Sequence, residues 1–118
     1  MRDASGARYT SAFLVEVGER LPGACLTSFS LLAPLLDCES YTMRNAVVSV
    51  TGSIVGAVLL QDRTDSSVKT RNQMLDILEE RILDVSAYTR KQALSVWQTL
   101  ADRKAIPLRR LTVCFSGP

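Results

Sequence analysis

Between Ser40 and Leu60 the chain reads SYTMRNAVVSVTGSIVGAVLL, its longest apolar passage, and from Ala46 to Leu60 no residue carries a charge. Any fold this chain adopts has to shelter that stretch. Val47, Val50, Ile54 and Val58 recur at i, i+3, i+7 and i+11, which is one face of an α-helix. Ala46, Val55, Ala57 and Leu59 leave the flanks apolar too. A helix apolar over most of its circumference needs neighbours on more than one side. A bilayer would be a different shelter, but the fifteen residues from Ala46 to Leu60 rise only about 22 Å against a hydrocarbon core of ~30 Å. Ser49, Thr51 and Ser53 weaken that reading further. A buried helix of a soluble protein is expected, with no membrane partner.

The same stretch returns further along. Ser-Tyr-Thr-Met-Arg-Asn-Ala-Val from Ser40 is matched by Ala-Tyr-Thr-Arg-Lys-Gln-Ala-Leu from Ala87. Tyr41 aligns with Tyr88, Thr42 with Thr89, Arg44 with Lys91, Ala46 with Ala93 and Val50 with Trp97, always at an offset of 47. Helical HEAT and armadillo repeats have periods of about 40–47 residues.

The remaining periodicities are helical. Leu14, Val17 and Leu21 mark a first helix over Ser11–Arg20, starting as early as Ser5 and ended by Pro22-Gly23. Leu26, Phe29, Leu32 and Leu36 mark a second from Ala24 to Leu36, kinked or cut short at Pro34. Asp37 or Ser40 is placed to cap the long apolar helix. On that helix Gly52 and Gly56 lie four apart, spaced to let another backbone approach. Gln61–Ser67 is a polar loop, with Asp65, Ser66 or Ser67 as the next cap. Val68–Leu83 follows, with Leu75, Leu78, Ile82 and Val85 as its inward stripe and Lys69, Arg71, Glu79 and Glu80 outward. Ala87 to about Arg103 turns Ala93, Trp97, Leu100 and Ala101 inward, and Ile106-Pro107 opens a last helix ending near Val113, before an unstructured Ser116-Gly117-Pro118.

The expected fold class is therefore all-α: an α-solenoid of HEAT- or armadillo-type helical hairpins, about two and a half repeats long. Residues 1–118 form one segment, with helix pairs at about 5–36, 40–83 and 86–115. No polar capping module closes either end, so the chain reads as a window cut from a longer array, truncated at its C-terminus.

Composition excludes several chemistries. A hydrophobic content of 47% with 22% charge excludes a mostly disordered chain. There is no histidine, which removes Ser-His-Asp and Cys-His nucleophiles and the common histidine-containing zinc sites. Cys25, Cys38 and Cys114 lack metal-ligand spacing, and their odd number closes no disulfide set. They read as reduced, mostly buried small hydrophobes of a cytosolic or nuclear protein. The adjoining Glu79-Glu80 point to different helix faces, so they make no acid–base pair. No enzyme, cofactor or metal site is expected.

Several runs are more specific than a generic helical repeat: Phe13-Leu14-Val15-Glu16, Glu39 to Val47, Leu75-Asp76-Ile77-Leu78-Glu79-Glu80-Arg81, and Asp84 to Trp97. Together, from about Phe13 to Leu108, they resemble the HEAT-repeat, non-SMC condensin subunit 1 family, of which this chain would be a small part. The resemblance implies a non-catalytic scaffold that binds the kleisin subunit, works with the SMC subunits, contacts DNA and acts in mitotic chromosome condensation. It implies a nuclear, chromosomal location, with the cytoplasm outside mitosis. Past Leu108 the family would continue into a further repeat, whereas here the chain ends at Pro118. The generic HEAT pattern sets an aspartate before a helix and an arginine within it. Asp37 with Arg44 and Asp84 with Arg90 approximate it, at spacings that differ by one. The alternative is a HEAT or armadillo adaptor of another complex, in transport or trafficking, with no nucleic-acid role.

Charge is unevenly spread. Residues 61–84 carry six acids against four bases, while beyond Asp84 six bases face Asp102 alone. Arg90, Lys91, Arg103, Lys104, Arg109 and Arg110 are the candidate DNA-contacting residues, since a basic solenoid end can track a phosphate backbone. A solvated surface with internal salt bridges accounts for the same residues. With no aromatic residues interleaved, any DNA contact would be weak, salt-sensitive and indifferent to sequence. Tyr41, Arg44, Asp84, Tyr88, Arg90 and Trp97 are read as structural positions of the repeat.

Overall fold

A computed structural model of the chain describes residues 5–60 and 62–115, and side chains from 6 to 111 apart from Gln61. The expectations for Cys114 and for Ser116-Gly117-Pro118 lie outside these. Every element among the described residues is helical: α1 (Ser5–Arg20), α2 (Pro22–Thr27), α3 (Phe29–Leu32), a 3-10 turn (Ala33–Asp37), α4 (Tyr41–Ile54) running on into a π-turn (Val55–Leu59), α5 (Asp65–Ile82), α6 (Ala87–Asp102) and α7 (Leu108–Phe115).

The apolar passage forms the core helix. Val47, Val48, Val50, Ile54, Val55 and Leu59 are all fully buried, and Met74, Leu75, Leu78, Ala93, Trp97 and Leu100 close over them. With its π-turn the helix covers nineteen residues, Tyr41–Leu59, long and apolar enough by length and composition to cross a bilayer, yet 56% of its apolar window is buried within the protein. Val58 is only half-buried and Ala57 is exposed, because the π-turn rotates the last turn of the face.

Contacts along α4 fix the direction of its neighbours. Ser11 Oγ donates to Met43 Sδ, and a Cβ on Gly18 would lie 2.9 Å from Val50 Cγ2. Moving up α1 therefore means moving up α4, so the two are parallel. On the other side the rings of Tyr41 and Tyr88 stack with centroids 5.3 Å apart, Gln92 Nε2 donates to Ser49 Oγ, Gly52 lies under Val96 and Arg103 Nη2 donates to Gly56 O. These pairs also advance together, so α6 is parallel to α4. The three helices make one layer. The 3-10 turn, α5 and α7 lie on its other side, linked by Arg81 Nη1 to Leu36 O and by Arg110 to Asp76 and Glu79. The molecule measures 39 × 37 × 20 Å, and its short dimension is about two helix diameters.

Several local expectations change. Pro22 opens α2 as well as closing α1, since the missing N–H costs nothing in a first turn. The expected Ala24–Leu36 helix breaks at Ser28 and tightens into the 3-10 turn around Pro34. Ser40, rather than Asp37, caps α4 by accepting from Met43 N, and Thr64, ahead of the three candidates, caps α5 by accepting from Ser67 N. Gly52 and Gly56 admit side chains of α6 and not a backbone. Val85, expected on the buried stripe of α5, is 92% exposed, because the helix stops at Ile82 and the turn redirects it. Met74 takes a core place instead.

Candidate functional site

The densest polar cluster sits where the turns before α4 and α6 meet. Asp84, in the turn after α5, is buried and its carboxylate is shared. Arg44 of α4 donates to it through Nε and Nη2, both at 3.0 Å, a bidentate fork. Arg81 Nη1 donates to it from the last turn of α5, and the backbone N–H of Ser86 donates at 2.8 Å. The side chains of Arg44 and Asp84 are 8% and 2% exposed, so the pair is dry on both sides. Burial pushes the Asp84 carboxyl up, but the Arg44 hydrogen bonds, the Ser86 amide and the charges of Arg44 and Arg81 outweigh it and hold the carboxyl below the usual carboxylate range. A carboxylate with that many donors is a fastener and not a base.

Arginine has a second task here. Arg44 Nη1 donates to the carbonyls of Cys38 and Glu39, and Arg90 Nη1 donates to those of Asp84 and Val85. In each case an arginine reaches back to the carbonyls six and five residues earlier and ties down the turn feeding its own helix. Ser40 and Ser86 cap the two helices in the same way. Caps and arginines alike recur after 46 residues, one fewer than the offset that aligns Tyr41 with Tyr88. Arg44 thus corresponds to Arg90, not Lys91, and its acidic partner is Asp84, not the exposed Asp37. Arg81 was not singled out from sequence; its one signal there is a place three residues ahead of Asp84, one helical turn away.

The six basic candidates do not form one patch. Arg90 holds its turn, Arg103 donates to Gly56 O, and Arg110 bridges Asp76 and Glu79 at 2.9 and 3.0 Å. Arg109 also has an interaction partner. Lys91 and Lys104 are exposed. Lys104 has φ 60°, the left-handed position after α6, where its N–H donates to Ala101 O and that of Ala105 to Leu100 O. Of the structural positions, Trp97 lies in the core, Tyr41 is half-buried and Tyr88 is exposed. A groove of about 380 Å³ runs over α4 between α1 and α6, lined by Ser49, Gly52, Ser53, Gln92 and Arg103 among others. Among the described residues no three His, Cys, Asp or Glu side chains come together as a metal site. Cys25 is buried, which pushes its thiol up.

Fold and site together define a protein whose described elements are all helical and in which a buried ion pair ties α4 to the turn between α5 and α6. Over 110 residues the chain is 38% identical to condensin complex subunit 1 of Xenopus laevis, covering 92% of this chain and 8% of that protein. The same protein of Mus musculus matches at 38% with the same shares, and condensin-1 complex subunit CAP-D2 of Arabidopsis thaliana at 39% over 113 residues, again 92% and 8%. Over nearly its whole length the chain is similar to one segment of condensin complex subunit 1, as its residue runs indicate, and it spans about 8% of the length of these curated relatives. No family model matches the chain. No solved structure matches it either.

Proposed function

We propose that this chain is a HEAT-type α-solenoid segment that serves as a non-catalytic scaffold of the condensin complex, working with the kleisin and SMC subunits in mitotic chromosome condensation, in the nucleus and on chromosomes. The observation that carries the solenoid reading is the recurrence after 46 residues of a serine cap and a turn-fastening arginine on two parallel, adjacent helices. Each such unit leaves an apolar side that only another unit can cover. The likeness to condensin complex subunit 1 supports the choice of complex.

DNA contact in this segment rests on Lys91 and Lys104, because Arg90, Arg103 and Arg110 spend their guanidinium groups on protein oxygens. Two ammonium groups give a weak, sequence-indifferent contact.

The test is retention of purified kleisin and SMC subunits on the immobilised chain, with its helicity checked by circular dichroism. Kleisin retention is the expected result. A folded chain that retains none of them overturns the condensin assignment, and selective capture of a transport or trafficking coat would place it among adaptors instead.

A further inference from the structure

The last turn of the core helix carries one residue more than an α-turn holds. Val47, Val50, Ile54 and Val58 mark one α-helical face, yet one turn beyond Ile54 the fully buried side chain is Leu59, while Val58 is half-buried. The π-turn over Val55–Leu59 makes the difference. Its bonds run from i to i+5, so Leu59 reaches the place that an α-turn would give to Val58.

The same turn displaces a hydrogen bond. In an α-turn the Gly56 carbonyl would accept from the N–H of Leu60, whereas an i→i+5 ladder passes each N–H one carbonyl further back. Arg103, just past α6, supplies a donor instead, with Nη2 3.0 Å from Gly56 O. A Cβ on Gly56 would lie 2.6 Å from Arg103 Nη1, so an alanine there would push the guanidinium aside.

We infer that the end of α4 is a two-register device keyed by Arg103. In the π register Leu59 takes the core place and Arg103 holds the Gly56 carbonyl. In the α register Val58 takes that place, and the Gly56 carbonyl returns to the Leu60 N–H. No charge stands between Ala46 and Leu60 to forbid either one. The π register buries the larger side chain but leaves a carbonyl to satisfy, and the α register keeps the helical ladder but buries the smaller one. The Arg103 bond decides between them, which is how a small local change is turned into a discrete shift of packing. Arg103 also lines the groove over α4, so that groove and the last turn of the core helix are coupled through one side chain. Neither register depends on which complex the chain serves.

Methyl NMR of the whole chain with a soluble paramagnetic agent reads the register, with helicity followed by circular dichroism. In the wild type the Val58 methyls should relax faster than those of Leu59. Arg103→Met removes the donor, and Gly56→Ala displaces it while favouring the α-helix. Both variants should stay folded and reverse that order, leaving Val58 the more shielded residue. Deleting the exposed Ala57 takes out the extra residue, so Leu59 should stay shielded there with or without Arg103→Met. Wild-type shielding kept by both folded single variants would show that packing of Leu59 alone fixes the turn, and would overturn the inference. So would a deletion chain in which Leu59 loses its shielding.

Discussion

Three residues, Arg44, Arg81 and Ser86, donate four hydrogen bonds to the Asp84 carboxylate from two helices and a turn. Removing one partner of a buried pair leaves the other charge dry and unpaired, at a cost of about 3–5 kcal/mol. Asp84→Asn should therefore lower the unfolding free energy in urea by about that much, and Arg44→Met by a similar amount. The folded pKa of Asp84 lies below its unfolded value of about 3.9. Its contribution is thus fully present above that value and is lost as pH falls through the folded pKa. The gap in stability between wild type and Asp84→Asn should stay level from pH 7 to about pH 5 and narrow in more acid solution; a gap independent of pH throughout would sink this account. Gly18 is the apolar counterpart. Its missing Cβ would meet Val50 Cγ2 at 2.9 Å and Val50 Cα at 3.3 Å, so Gly18→Ala has to push α1 off α4. Overpacking of this kind costs about 1–3 kcal/mol, more than the ~1 kcal/mol alanine gains in helix propensity. Thermal melts should show a net loss, and a rise in melting temperature would show that the layer can spread.

The helix ends separate what a sequence pattern can carry from what it cannot. Ser40 was one of two caps offered for α4, because a polar side chain before an apolar run satisfies orphan N–H groups, and Ser86 does the same for α6. Thr64 is one of four neighbouring residues able to cap α5, with Asp65, Ser66 and Ser67, and only the direction of the incoming chain decides among them. The end of α6 was harder still. Its left-handed closing residue is Lys104, where the usual signal would be glycine, and a side chain there carries a steric cost of roughly 1 kcal/mol. Lys104→Gly should therefore stabilise the chain by about 0.5–1 kcal/mol, read as a higher urea midpoint with unchanged slope. A destabilised variant would mean that the lysine side chain makes a contact worth more than the strain.

Taken as a whole, the molecule is a slab two helices thick whose long apolar helix is enclosed by parallel partners on both sides. Its basic third is mostly committed to holding that slab together. Binding of a long DNA duplex should accordingly be weak and fall off steeply with salt, and Lys91→Gln with Lys104→Gln should reduce the slope of log affinity against log salt by about 2. Fluorescence anisotropy at several salt concentrations measures this, and an unchanged slope would move the contact elsewhere. That the described elements are helical, that Val47, Val50 and Ile54 lie at the centre and that Trp97 faces inward were legible from periodicity, because burial of one face repeats every 3.6 residues along the sequence. The recurrence that aligns Tyr41 with Tyr88 was legible as well, and in the fold their rings stack. Which arginine serves which aspartate could be settled only in three dimensions. Arg44 lies nearer in sequence to Asp37 than to Asp84, but the backbone turns Asp37 out to solvent and brings Asp84 in from the turn after α5. Periodicity records which way a side chain faces; partners across a layer depend on how neighbouring helices slide past one another, and only their packing sets that.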